Sequence, residues 1–217
     1  MECWSMDSGE IAVAWIGLAG VVIGILLDPM RKSLADHLFG PKLAVFFDQT
    51  SDECNALVLA RNHVMVDGYA VVVEGSERFQ RYIRMRITNN GESPAIKCRV
   101  ALVGLKRFHE DGTPHAVRYV DSIPLQWSFL GPSNPAIDLV PGVPHFVNLI
   151  FTEQGESNIS HQLVSHPYKY ETLFEGNGRY LFDLLIAAEN TKPLRRRIEF
   201  HWFGQWDTFS TQEIPIE

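Results

Sequence analysis

Four cations alternate with apolar residues on two neighbouring stretches. Arg84 and Arg86 lie within Tyr-Ile-Arg-Met-Arg-Ile, and Lys97 and Arg99 within Ile-Lys-Cys-Arg-Val. Residues two apart in a strand share a face, so each cation pair stands opposite its apolar neighbours. If the two strands pair, the four charges gather on one surface that suits an anionic ligand or lipid headgroups. The plain alternative is a solvated face with acidic neighbours. Arg195, Arg196 and Arg197 form a second basic run, ahead of Phe200 and Trp202. Both aromatics read as inward, which leaves little for base stacking, so no nucleic-acid partner is expected.

Catalytic and metal-binding spacings are absent. The chain holds no Gly-x-Ser-x-Gly elbow, no Gly-x-x-x-x-Gly-Lys-Ser/Thr loop and no Gly-x-Gly-x-x-Gly turn. None of the 8 histidines (His37, His63, His109, His115, His145, His161, His166, His201) forms His-x-x-x-His. Cys3, Cys54 and Cys98 are too scattered for a disulfide framework or a zinc site. Cys98 reads as facing a core and Cys54 as lying in a polar loop, neither beside a group that would lower its pKa. Asp183 and Glu199 sit on strands, on the side away from the apolar residues. No catalytic residue, cofactor or metal is expected, and a non-enzymatic protein follows.

The elements that position these residues begin with the composition. A chain of 217 residues, 46% hydrophobic and 11% aromatic, suits one globular domain with some length to spare. Its net charge of −7 excludes a global basic field for nucleic acid. From Ile11 to Leu27 (IAVAWIGLAGVVIGILL) no charge, hydroxyl or proline occurs. At ~1.5 Å per residue that run covers roughly 25 Å, the short end of a bilayer span. The stretch before it carries Glu2, Asp7 and Glu10 without a Lys or Arg, and no Ala-x-Ala site follows, so a cleaved signal peptide fits poorly. A single uncleaved transmembrane helix is the reading. All 19 Lys and Arg come after it, with Arg31 and Lys32 at its end. The positive-inside rule then sets the N-terminus outside a bacterial inner membrane and the rest in the cytoplasm. Gly17, Gly20 and Gly24 fall on one face of the span and would let two such helices approach closely, giving a homo-oligomer.

The resulting division is an anchor at 1–28, an amphipathic juxtamembrane connector at 29–41 and a β domain at 42–217. Within the last, short apolar or alternating runs recur: 43–47, 56–60, 69–73, 82–88, 96–103, 146–151, 180–188 and 198–203. Ile83, Met85 and Ile87 point one way and Tyr82, Arg84 and Arg86 the other. Ile96, Cys98, Val100 and Leu102 alternate likewise with Lys97 and Arg99. Asp111-Gly112 marks a turn. Short strands at this spacing, punctuated by Pro and Gly, predict a β-sandwich or barrel.

The link between the two cation-bearing strands, with Asn89, Gly91, Pro94 and Ala95 as Asn-x-Gly-x-x-Pro-Ala, resembles the CARDB-like group of immunoglobulin-fold domains in bacteria and archaea. In that group the Asn and Gly shape a tight link between two core strands. A left-handed glycine and an Asn side chain bonded to its own backbone supply the turn logic. The whole chain is similar to uncharacterised bacterial proteins with one N-terminal anchor and such a sandwich. Ser122–Ser128, Asp138–Gly142 and the stretch from Tyr180 to Trp206 share in that likeness, which implies the fold and no activity. Two functional expectations follow: a membrane-anchored protein-interaction or scaffold module with an unknown protein partner, or a tethered sensor of a small anionic ligand.

Overall fold

The computed structural model describes residues 28, 31, 39–66, 69–109, 111–115, 122–128, 130, 134–160 and 176–216. The chain divides into two compact units, Met1–Gly40 and Pro41–Glu217. The expected span at 11–27, with Gly17, Gly20 and Gly24, lies outside the described residues, as does most of the connector at 29–41. Among the described residues no helix is long and apolar enough to cross a membrane.

The second unit is mainly β. Its strands are β1 (Leu43–Phe46), β2 (Asn55–Ala60), β3 (His63–Val66), β4 (Tyr69–Val72), β5 (Arg78–Asn89), β6 (Ala95–Phe108) and β7 (Pro114–His115). There follow β8 (Ile123–Pro124), β9 (Ile137–Leu139), β10 (Pro144–Glu153), β11 (Gly178–Ala187), β12 (Leu194–Gln205) and β13 (Thr208–Ile214). Two antiparallel sheets pack face to face. In the smaller, β5 is central: β1 and β2 share one of its edges, with Leu43 opposite Asn89 and Asn55 opposite Ile83. β10 takes the other edge, with Val147 opposite Met85. In the larger sheet the order is β13-β12-β11-β6, and β7, β8 and β9 take turns along the far edge of β6. Among the described residues β3 and β4 pair only with each other.

Alternation builds the core. Ile83, Met85 and Ile87 of β5 meet Cys98, Val100 and Leu102 of β6, Tyr180 to Ile186 at every second position of β11, and Ile198, Phe200 and Trp202 of β12. Each strand so buries one side chain in two and leaves the other face to polar residues. Trp127 fills the layer from a segment that changes sheets. Its chain bonds to β6 at Leu125, whose N–H reaches Val100 O, and then bridges β10 at Val147. The Asp111 carboxylate accepts from Thr113 N and Oγ1 at 2.8 and 2.6 Å, and Gly112 takes φ +81°, closing the β6–β7 turn as expected.

The expected alternation of 82–88 holds, and that of 96–103 holds from Cys98 onward. At the bulge before it Ala95 rather than Ile96 takes the buried position, and both strands run longer than the periodic cores suggested. The strands do not pair with each other. Both edges of β5 near Asn89 are already taken, by β1 and β10, so residues 90–94 carry the chain across to the opposite sheet. The link is an arch between layers, and Asn89 is its fastening. Fully buried, its Oδ1 accepts from Lys42 N and Gly91 N, both at 3.0 Å. Its Nδ2 donates to Ser93 O at 2.7 Å and Leu139 O at 3.1 Å. One side chain thus holds the start of β1, the arch and the end of β9. Gly91 stays out of the left-handed region expected of it, because the Asn89 carboxamide already closes the turn.

Candidate functional site

Arg84 and Arg86 stand on the outer face of the smaller sheet, as the alternation of β5 requires. Each lies over a ring from a neighbouring strand: Arg86 over Phe46 at 4.3 Å and Arg84 over Phe146 at 4.5 Å. Glu53, in the turn between β1 and β2, serves both. Its Oε2 pairs with Arg86 Nη1 at 2.6 Å, and its backbone carbonyl accepts from Arg84 Nε. Burial lowers the Arg84 pKa from its ordinary value, with the neighbouring Cys54 and Glu53 acting against it. Cys54, expected in a polar loop, is buried beside this cluster, its thiol directed at Phe46 O at 3.8 Å. Burial raises the thiol pKa, which disfavours the thiolate near neutral pH.

Beside Arg84 the outer face sinks into a groove of about 250 Å³. Tyr82 and Arg84 line it from β5, Val58 from β2, Asn148 from β10, and Gln126 and Ser128 from the sheet-changing segment. Ser128 Oγ donates to Asn148 Oδ1 at 2.6 Å, and Gln126 Nε2 donates to Leu130 O. One guanidinium edge, hydroxyls and amides around an apolar floor form a mixed surface suited to a small polar ligand with negative charge.

Lys97 and Arg99 do not join this site. They belong to β6, in the other sheet, and stand on its outer face, so the expected four-cation surface does not form. The physical reason is the arch, which sends β6 to the opposite layer. Lys97 has a φ of +48° where β6 bulges against β9. Its N–H donates to Asp138 Oδ1 at 2.7 Å and its Nζ pairs with Glu189 at 2.8 Å. On the same sheet Arg197 forms a two-point pair with Asp183 at 2.6 and 3.2 Å, and Arg196 meets Glu213 at 3.1 Å. Much of the basic run is therefore neutralised internally.

A second surface was invisible to charge patterning. Leu57 and Leu59 of β2 lie opposite Arg81 and Phe79, on the side of the sheet that faces the core farther along β5. Here the layer stays open: Leu57 is 53% exposed, Leu59 43% and Phe79 40%. Trp206, in the β12–β13 turn, stacks on Phe79 at 6.4 Å, and the Arg81 guanidinium lies 5.7 Å from the Trp206 ring. The signal in the sequence was the run Leu57-Val58-Leu59, apolar at successive positions and so apolar on both faces of one strand.

Among the described residues no three His, Cys, Asp or Glu side chains converge as a metal ion requires. Compared with known proteins, the chain matches no family model and no curated protein.

Proposed function

We propose that this chain is a non-enzymatic protein-interaction module, an immunoglobulin-like sandwich held at a membrane by residues 11–27. The open apolar rim of Leu57, Leu59 and Phe79 carries the reading. Solvated apolar side chains that cluster at a sheet end are what a partner covers. The immunoglobulin-like reading draws on Tyr180, near the start of β11. Its hydroxyl donates to Gly176 O, four residues upstream, at 2.7 Å, a device familiar from such sandwiches. The cytoplasmic side of a bacterial inner membrane follows from Arg31 and Lys32, and Gly17, Gly20 and Gly24 offer a helix face for self-association. A photo-crosslinking residue at Phe79, in cells, should capture a protein that the same probe at Phe203 does not. Equal capture at both positions counts against the rim.

The groove beside Arg84 favours a second reading, a tethered sensor of a small anion. Arg84 and Arg86 remain its candidate ligand-binding cations, without Lys97 and Arg99. A thermal-shift series with phosphate, nucleotides and phosphorylated sugars tests it, because a ligand that prefers the folded state raises Tm. A shift that persists in Arg84→Gln would remove the groove from consideration.

A further inference from the structure

We infer that β2 is a self-pairing edge, and that two copies of this chain join through an antiparallel β2–β2 ladder with its two-fold axis at Val58. The inference rests on the rim being an interaction surface and names its partner as a second copy.

The hydrogen-bond parity of β2 leaves its outer edge open. Arg84 N donates to Cys54 O at 2.8 Å, so Cys54, Ala56, Val58 and Ala60 turn their backbone groups toward β5. Asn55, Leu57 and Leu59 turn theirs away. The Asn55 N–H is satisfied by Ser51 O at 2.9 Å. Leu57 and Leu59 are left facing the free side of a strand that, among the described residues, pairs with β5 alone. Edge strands are ordinarily blunted by a Lys, a Pro or a bulge. Asn55–Ala60 has no Lys or Pro, and its register with β5 runs without a shift.

The sequence of that edge is its own complement. Ala56-Leu57-Val58-Leu59-Ala60 reads identically in both directions. A two-fold interface needs a surface that matches itself, which a strand for a different partner does not. Rotation about Val58 sets Leu57 opposite Leu59 of the second copy, and Ala56 opposite Ala60. The parity agrees. Leu57 and Leu59 meet as hydrogen-bonded pairs, each exchanging N–H and C=O with its counterpart, while the two Val58 residues form the non-hydrogen-bonded pair on the axis. Continued outward, the register places Asn55 opposite Arg61 and Glu53 opposite His63, so no like charges face each other. The leucines of both copies then lie together on the face that carries Phe79. A ladder this short is weak in free solution, and confinement of both copies to one membrane raises their effective concentration.

Cysteine trapping in the full-length chain, in detergent and with Cys3→Ser as background, tests the register. Val58→Cys should form a disulfide-linked dimer on mild oxidation, since that pair sits at about 4.5 Å between Cα atoms. Leu57→Cys or Leu59→Cys alone should give at least about fivefold less, their thiols lying diagonally beyond easy disulfide reach. Mixing those two variants should restore the dimer. Adding Leu57→Lys to Val58→Cys should abolish trapping with Tm unchanged. Leu57→Pro should do the same, since it removes an outward N–H and leaves the β5 ladder intact. The inference is overturned if Val58→Cys traps no better than Leu57→Cys, or if trapping survives both blocking changes. Specific capture of another protein at Phe79, with Val58→Cys staying monomeric, would reject the second copy and keep the rim. Failure of both experiments would reject both.

Discussion

Asn89 concentrates more of the fold in one side chain than any cation of the outer faces does. Its carboxamide accepts from two backbone N–H groups and donates to two backbone carbonyls, the Leu139 O among them buried, and a typical bond of this kind contributes about 1 kcal/mol net. Asn89→Ala removes all four bonds and strips the buried Leu139 O of this donor, so the loss should reach about 3 kcal/mol in urea denaturation. Asn89→Asp keeps both acceptor roles but turns an oxygen toward Ser93 O and Leu139 O. It should be least damaging in acid, where a protonated carboxyl can donate, and should lose stability as pH rises. Cys98 makes a second case for titration. Burial pushes its thiol from 9.0 up to about 12. The native state therefore holds a proton that the unfolded chain releases above its ordinary value. The stability tied to that proton is intact below about pH 9 and is lost as pH rises toward 12, at up to about 1.4 kcal/mol per unit. Denaturation at pH 8, 9.5 and 10.5 should show a shallower alkaline decline for Cys98→Ala than for the parent chain.

At the scale of elements, the bulge of β6 at Lys97 is the point where backbone and side-chain preferences disagree. A non-glycine residue with φ +48° carries a steric cost that glycine or asparagine avoids. Lys97→Asn should thus hold stability within about 0.5 kcal/mol, whereas β-branched Lys97→Val should lose about 1–2 kcal/mol. Both variants forfeit the exposed pair with Glu189, so the difference between their denaturation midpoints reports the backbone alone. Periodicity made β5, β6, β11 and β12 legible, because strands buried on one face must alternate. It could not reveal β7, β8 and β9, which have two or three residues each and exist only because β6 offers them an edge. β13 was missed because an edge strand buries little: of its side chains only Thr211 is buried. The basic site was half legible. The faces of Arg84, Arg86, Lys97 and Arg99 were right, but which sheet a strand joins depends on competition for edges, which no local pattern records.

At the scale of the whole molecule, the proposed anchor at 11–27 and its direction are tested together. The full-length protein should stay with the membrane fraction after high-salt and alkaline washing, which strip interfacial helices. A reporter active only outside the cytoplasm should stay silent when fused after Glu217. Glu at positions 31 and 32 with Lys at 2 and 7 should turn that reporter on, because those flanking charges set the orientation. An active reporter on the parent chain would place the rim outside the cell and make adhesion the better role. The way the domain is fastened also has a mechanical side. Tension transmitted along the chain from upstream enters at Lys42, whose N–H is held by Asn89 and whose carbonyl accepts from Asn90 N at 2.7 Å. β1 continues directly from that point, antiparallel to β5. A pull along β1 loads its rungs side by side, so they must fail together, whereas a pull across the strand would open them one at a time. The arch that splits the basic residues between two layers is therefore also a clasp, and the sandwich should resist tugging from its N-terminal side better than prying at β13.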